Sequence, residues 1–476
     1  MSKFLKLMSI LAIVALIAVP AFAEVQNVKV SGDIDTKAIN RSNYDFSNGN
    51  SGAFTANANY RDSDTWFMTT ARVQIDADLT DNVSTSVRLL NERDWDVEAG
   101  ATTEIALDLA SVSLKEFFYS PLTLKIGRQN LRFGSGLVVG DPDTNDIAVN
   151  NAIYADDLSV RKSFDAIRAT FDYNPLVLDL IMAKIDANNI GVGDAAAGVA
   201  RSAKDDVDLY GVNAAYQFDS YNSAAEAYLF AKIDRSDTTA SPITDTVYVY
   251  GVRGNLEPIS KLVLDAEVAL QDGDFADTAN NRKVDRKAWA GDIGGSYAID
   301  YKWSPKIAVR YSYRSGQKAT TTQDANVDVN AASTEYKAWD TMFEDQTHGI
   351  IANQIFDGNN DGVDSNGQTI NVSASVVPVQ DLTVAVDYYH YLLAEKWNSL
   401  GVTGSSLDDR TGNTGTTYEV TDKKDLGDEV DLSLAYDYTE DVKLGLTAGF
   451  FLPGSTFQKT NDNMASTVMA DVKVSF

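Results

Sequence analysis

The chain alternates apolar and polar residues in eighteen short stretches, and the gaps between them alternate short and long. A period of two marks strands whose two faces meet different surroundings. The double rhythm, tight turns on one side and long loops on the other, is what a closed barrel in a membrane requires. The expected fold is therefore all-β, an 18-stranded antiparallel transmembrane β-barrel.

The stretches run 25–40, 66–79, 83–93, 105–118, 122–133, 164–173, 176–185, 208–218, 224–233, 247–256, 262–271, 287–299, 303–314, 369–377, 382–394, 429–438, 442–451 and 467–476. Short gaps such as Thr80-Asp81-Asn82, Asn174-Pro175 and Thr439-Glu440-Asp441 carry turn formers. The gaps 41–65, 134–163, 186–207, 234–246, 272–286, 315–368 and 395–428 are long and rich in Asp, Asn, Gly, Ser and Thr. An even strand number puts both termini on the short-turn, periplasmic side and the long loops outside. Aromatic residues near strand ends (Trp66, Tyr119, Tyr173, Trp303, Tyr388) suit an interfacial girdle.

Alternation also assigns faces. Arg72, Arg88, Arg168, Arg253, Arg310 and Arg314 fall opposite the apolar set, as do Asp76, Asp78, Asp172, Asp265, Glu267, Asp387, Asp431 and Asp437. An arginine turned to lipid near the bilayer midplane costs roughly 2–4 kcal/mol, so these residues are expected to point inward. Arg72, Arg88, Arg168, Arg253, Arg310 and Arg314, with Asp76 and Asp172, are the candidate pore-lining set. Residues 105–118 change phase midway, which predicts a bulge.

Residues 1–23 read as a signal peptide. Lys3 and Lys6 precede an apolar run from Ile10 to Val19, and Ala21-Phe22-Ala23 is a small-x-small cleavage site. Residues 24–476 then form the barrel, delivered to the outer membrane of a Gram-negative-type envelope. A mean hydropathy of −0.20 fits, because only alternate strand residues meet lipid. The net charge of −28 argues against a nucleic-acid partner. The absence of cysteine removes disulfides and thiol chemistry. His348 and His390, the only histidines, lie on separate elements, and no nucleophile–base pair or phosphate loop is recognisable, so no enzyme is expected.

Residues 121–140 read PLTLKIGRQNLRFGSGLVVG. With Arg161-Lys162-Ser163-Phe164-Asp165-Ala166-Ile167-Arg168, Ala338-Trp339-Asp340-Thr341-Met342-Phe343, Leu426-Gly427-Asp428-Glu429-Val430-Asp431-Leu432 and Phe450-Phe451-Leu452-Pro453-Gly454, this segment resembles the alginate export family of outer-membrane porins, motif by motif and in order. The residues carrying the match include Gly127, Arg128, Gln129, Arg132, Gly134, Arg161, Phe164 and Asp165. The resemblance implies an 18-stranded barrel and, for the alginate exporter itself, passage of an anionic polysaccharide through an arginine-lined lumen. It also implies that the strand-terminal Phe476 is read by the barrel-assembly machinery. One departure is Gly136, where the motif usually has arginine. Arg128 and Arg132 have two readings, a role in passage or the pinning of a folded-in loop.

Asp357-Gly358-Asn359-Asn360-Asp361-Gly362 fits the start of a calcium loop, with Asp357, Asn359 and Asp361 as oxygen ligands for a weakly bound Ca2+. Position twelve is Gln368 rather than the bidentate Glu, and a solvated acidic loop is the other reading. No other cofactor is expected. Two functions follow from these expectations. The first is a passive channel for anionic polysaccharide or small solutes, constricted by loops 134–163 and 315–368. The second is a non-conducting structural or adhesive barrel whose acidic extracellular loops bind cations. In either case the immediate surroundings are outer-membrane lipid.

Overall fold

The computed structural model describes residues 27–46, 63–95, 105–142, 155–187, 206–235, 243–277, 281–318, 333–356, 362–397, 405–408, 417–459 and 462–476. The expected signal peptide and the candidate calcium ligands Asp357, Asn359 and Asp361 lie outside these residues. Eighteen strands make the barrel. They are β1 (Asn27–Ser42), β2 (Ser63–Thr80), β3 (Val83–Asp94), β4 (Ala106–Leu114), β5 (Leu122–Asn130), β6 (Ser163–Asp172), β7 (Leu176–Ala187), β8 (Asp206–Gln217) and β9 (Ala224–Asp234). The second half comprises β10 (Asp245–Ile259), β11 (Leu262–Asp277), β12 (Arg282–Ala298), β13 (Lys306–Arg314), β14 (Gly367–Val379), β15 (Leu382–Leu393), β16 (Asp425–Asp437), β17 (Val442–Pro453) and β18 (Ala465–Ser475).

Each strand pairs antiparallel with its sequence neighbours. β18 returns to β1, from Asp33 opposite Ser475 to Ser42 opposite Ser466. Phe476 completes the seam: its N–H donates to the Gly32 carbonyl at 3.0 Å, and Gly32 N–H donates back at 2.9 Å. Closure leaves no open strand edge along the ladder, as hydrocarbon surroundings demand.

The outer wall follows the alternation. Ile167 on β6, Val268 and Leu270 on β11, Ile293 on β12, Val309 on β13 and Leu432 and Leu434 on β16 are exposed. Tyr119, Tyr173 and Trp303 are exposed at the short-turn end and Tyr388 near the other end, where rings suit the interface. Trp66 departs from the expected girdle. It shares the inward phase of β2 with buried Met68 and packs beside Ile39, with Arg41 5.5 Å above its ring. Strand-end position alone therefore misplaced it; its phase within β2 is what decides.

The predicted bulge lies at Asp108 on β4: Arg88 faces Leu109 and Leu89 faces Leu107, so Asp108 is the extra residue. The expected long gap 272–286 is mostly strand. β11 and β12 run on to Asp277 and from Arg282, leaving only residues 278–281 between them. This hairpin continues past the apolar band, where charged residues dominate and the composition imitates a loop. Its inner face is held by Phe275 stacked 3.8 Å from Tyr336, and by a two-residue strand, Glu335–Tyr336, lying parallel to Asp285–Arg286.

Two long connections fold into the lumen instead of standing away from it. Residues 131–139 and 339–343 contribute Leu131, Phe133, Leu137, Val138, Val139, Trp339, Met342 and Phe343 to a buried cluster. Wall residues such as Phe164, Phe230, Val247 and Val249 complete it. A second cluster gathers Ile351, Ile355 and Phe356 of the later loop with Phe46, Tyr391, Trp397, Phe451 and Phe457. An aqueous pore wall would be polar at these positions; apolar residues there require a cover, and the loops supply it.

The lumen as candidate functional site

The lumenal arginines are paired with acids that come mostly from the neighbouring strand. Arg168 Nε and Nη2 donate to Asp179 at 2.7 and 2.9 Å, a two-point contact across β6 and β7. Arg310 reaches Asp265 at 2.8 Å, Arg253 approaches Glu267 at 3.7 Å, and Arg72 meets Asp33 at 2.8 Å. Arg88 bonds Asp108, the bulge residue. Such pairs are held by geometry as well as charge, because the planar guanidinium matches a carboxylate edge.

The two members of a pair are not equally accessible. The side chain of Arg168 is 31% exposed against 3% for Asp179, Arg253 33% against 2% for Glu267, and Arg310 37% against 20% for Asp265. The acid lies underneath and the guanidinium faces the lumen. Arg72 and Asp33 are covered about equally. Of the acids predicted on the inner face, Asp265 and Glu267 seat arginines. Asp76 accepts from Gln74 at 2.9 Å, Asp387 from Ser373, and Asp172 from the backbone of Asn174 at 3.0 Å in the turn that follows β6. Asp437 stands beside Lys443 at 3.2 Å.

Arg314 points inward as expected but does not line open space. It is buried, bonds Asp292 at 3.0 Å and also reaches Gln346 of the in-folded loop. Its role in the structure is to tie that loop to the wall.

The family motif divides between faces. Gly127 has φ +113, and a Cβ there would lie 2.2 Å from the Ala110 carbonyl oxygen. Gln129 is buried inward and donates to the carbonyls of Ala166 at 3.0 Å and Gly127 at 3.2 Å. Arg128 projects outward and meets Asp165, its cross-strand partner on β6, at 3.3 Å. It neither lines the lumen nor pins a loop, contrary to both expectations for it, because the register of β5 turns it to the outer face. Arg132 does pin one: it bonds Asp345 and donates to the Ser135 carbonyl at 2.7 Å. Gly134 N–H donates to Glu226 at 2.9 Å, while Arg161 reaches Glu92 at 2.9 Å and Phe164 meets Phe343 edge-on at 6.1 Å. The glycine at 136 also has a cause. Its φ is +88, and a Cβ would come within 2.8 Å of Arg132 Cζ.

Sequence reasoning placed Glu267 on the inner face but did not foresee that acids of the wall dock the loops, and it did not single out Glu429 or Asp340 for that role. Glu267 accepts from Ser135 N–H at 2.9 Å and from the Tyr228 hydroxyl at 2.7 Å. Glu429 on β16 accepts the backbone N–H groups of Ile350, Ile351 and Ala352 at 2.7–2.8 Å. Asp340 is buried between Lys232 at 2.6 Å and Arg286 at 3.4 Å, and Gln271 brackets its backbone with bonds of 2.7 and 2.8 Å. Burial opposes ionisation of Asp340, but Lys232 and Arg286 hold its carboxyl below the usual range. Burial and the nearby Arg314 lower His348 to about 4, against the partial opposition of Asp292. A strand acid gives no sign in the sequence of which distant loop it will bind. The only available signal was buried-phase polarity at Glu267, Gln271 and Glu429.

Where the two loops meet, a polar cavity of about 120 Å³ remains. Asp141, Ser159, Lys162, Thr341, Asp345 and Asn353 are among its walls. Among the described residues there is no group of three or more His, Cys, Asp or Glu placed to hold a metal ion.

Comparison with solved structures places the fold among known barrels. OccK2 (OpdF) of Pseudomonas aeruginosa aligns with a TM-score of 0.52 at 11% identity, over 95% of this chain and 98% of its own. The same protein in complex with glucuronate gives 0.51 at 11%, over 95% and 99%. Pseudomonas aeruginosa OpdK with vanillate gives 0.51 at 9%, over 95% and 99%. At these identities the likeness is one of fold. No match is found among curated proteins. The family described as Alginate export matches residues 34–471, nearly the whole barrel. This chain is a member of the alginate export family, an outer-membrane β-barrel.

Proposed function

We propose that this protein is a narrow passive channel for small anionic solutes carrying carboxylates, sugar acids among them. The observation that carries the reading is the layering of the lumenal ion pairs: Arg168, Arg253 and Arg310 face the lumen over more deeply buried acids. A solute carboxylate can take a guanidinium edge without displacing the acid beneath it. Several such sites of modest strength favour conduction over trapping. The solved neighbours with glucuronate and vanillate are compatible with this chemistry.

Small cargo is favoured over polymer by the packing of the loops. Two buried apolar clusters hold residues 131–139 and 339–356 in the lumen, and a polysaccharide chain of ordinary girth would have to unpack them. Planar-bilayer recording of the purified full-length protein tests the proposal. Anion-selective conductance that glucuronate blocks is the expected result. Absence of conductance in every salt would leave the adhesive-barrel alternative. Removal of residues 1–23 belongs to the same proposal and is checked by the N-terminal mass of the protein recovered from outer membranes.

A further inference from the structure

Arg128 faces away from the lumen, and it is not alone on that face. Partners in register carry one row of charge across the outer wall. Arg128 on β5 lies opposite Asp165 on β6, Asp165 opposite Lys184 on β7, and Lys184 opposite Asp208 on β8. Arg235, just beyond β9, continues the row: its N–H donates to the Asp206 carbonyl at 3.0 Å and its guanidinium reaches Asp208 at 2.9 Å. One step below, on the same face, stand Ile126, Ile167, Met182 and Tyr210, themselves in register and exposed. The wall thus passes from apolar to charged within a single step. Asp165 is eight residues above Tyr173 of the short-turn end. With ordinary strand rise and tilt that is about 20 Å, near the outer edge of an apolar band about 25 Å tall. Toward the long-loop ends of β10, β12 and β13 the outer face carries exposed rings instead, Tyr248, Trp289 and Tyr311.

The bases hold the outside of this row. Lys184 bonds Asp208 at 2.7 Å and also Asp206, yet its side chain is 37% exposed and that of Arg235 35%, against 7% for Asp208. Arg128 is 30% exposed and meets Asp165 at 3.3 Å, the loosest contact of the row. The bases recur on every second strand, about 10 Å apart. A cation that is held in place from below and open at head-group depth is set to bind a lipid phosphate. We infer that Arg128, Lys184 and Arg235 form a binding surface for an outer-leaflet glycolipid whose sugar head group carries two phosphates. Two phosphates take neighbouring bases at once, which a lipid with a single phosphate cannot do. Asn130, exposed above Arg128 on the same face, offers its amide to the sugar hydroxyls. Asp165 is 61% exposed and repels such a head group unless a divalent cation lies between them, one carboxylate serving the ion from the wall and the phosphates from the lipid. The surface is outside the barrel, so it goes beyond the channel reading and stands whatever the lumen conducts.

The test is binding of diphosphoryl lipid A to the purified full-length protein in detergent micelles, read by native mass spectrometry with and without magnesium. Monophosphoryl lipid A and phosphatidylglycerol are the comparators, and the diphosphoryl form should bind most tightly. Arg128→Gln and Lys184→Gln should each weaken its binding about fivefold, the worth of one base at an anionic surface. Lys302→Gln removes an exposed base at the short-turn end and should change nothing. Asp165→Asn removes the exposed acid; it should tighten binding and end the need for magnesium, a gain that a folding defect cannot imitate. Phosphatidylglycerol binding as tightly as the diphosphoryl form overturns the inference. So does wild-type binding in both Arg128→Gln and Lys184→Gln, or a magnesium requirement unchanged in Asp165→Asn.

Discussion

Replacing Asp340 by alanine should release the later loop from the barrel wall. Asp340 is buried, with Lys232 at 2.6 Å, Arg286 at 3.4 Å and its own Met342 N–H at 2.9 Å. Removing one member of a buried pair costs about 3–5 kcal/mol, chiefly because a desolvated charge is left behind. Arg286 retains Asp245 at 2.8 Å, so the unpaired charge is mainly Lys232 and the lower end applies. About 3 kcal/mol changes the docked-to-released equilibrium by roughly a hundredfold. The assay is single-channel recording, supported by protease susceptibility of residues 333–356 in protein-containing vesicles. Asp340→Ala should show larger or more frequent high-conductance openings and faster cleavage. The double variant Lys232→Met, Asp340→Leu removes both the charge and its stranded partner, and should return most of the docking. If Asp340→Ala matches wild type in conductance and cleavage, the salt bridge does not hold the loop and the reasoning fails.

Further predictions concern the same loops and the lumenal wall. His348 is buried near Arg314, Asp292 and Arg310, and its value is lowered to about 4. The released loop therefore binds a proton that the docked loop refuses. Docking is undiminished above the ordinary histidine value of about 6.5 and weakens by about 3 kcal/mol as pH falls toward 4; openings should increase over that window, and His348→Gln should flatten the dependence. Gly349 has φ +86, and a Cβ would lie 2.3 Å from the Tyr391 hydroxyl and 2.7 Å from Glu429. Gly349→Ala should thus loosen the contact of residues 348–352 with β15 and β16, by about 1–3 kcal/mol for the backbone alone, seen as more frequent openings at neutral pH. Charge-removing changes at Arg168, Arg253 and Arg310 together leave Asp179, Glu267 and Asp265 uncompensated, so the triple glutamine variant should shift selectivity toward cations.

The barrel was legible because its signal is repeated. All eighteen strands lie where alternation put them, and even the bulge at Asp108 announced itself as a break in phase. Faces were legible for the same reason, since a one-residue slip would turn Arg168 or Arg310 to lipid. Composition misled at β11 and β12, where strand beyond the membrane needs no apolar face and so resembled loop. Strand-end position misled at Trp66, whose phase on β2 turns it inward beside Met68. The interior was less legible. Glu267 and Glu429 each receive loop N–H groups distant in sequence, and neither the loop's choice of wall nor the layering of Arg168 over Asp179 leaves a local pattern. Arg128 shows the limit of a motif: it stands within the strongest match of the chain and yet faces outward to Asp165.

Reversal potential in a salt gradient across a planar bilayer tests the central claim most directly, because it reads the sign of the charge that a permeating ion meets. Guanidinium groups layered over buried acids predict a reversal potential displaced to the anion-selective side, reduced in the triple variant at Arg168, Arg253 and Arg310. A cation-selective wild type, or a triple variant indistinguishable from it, would contradict the account.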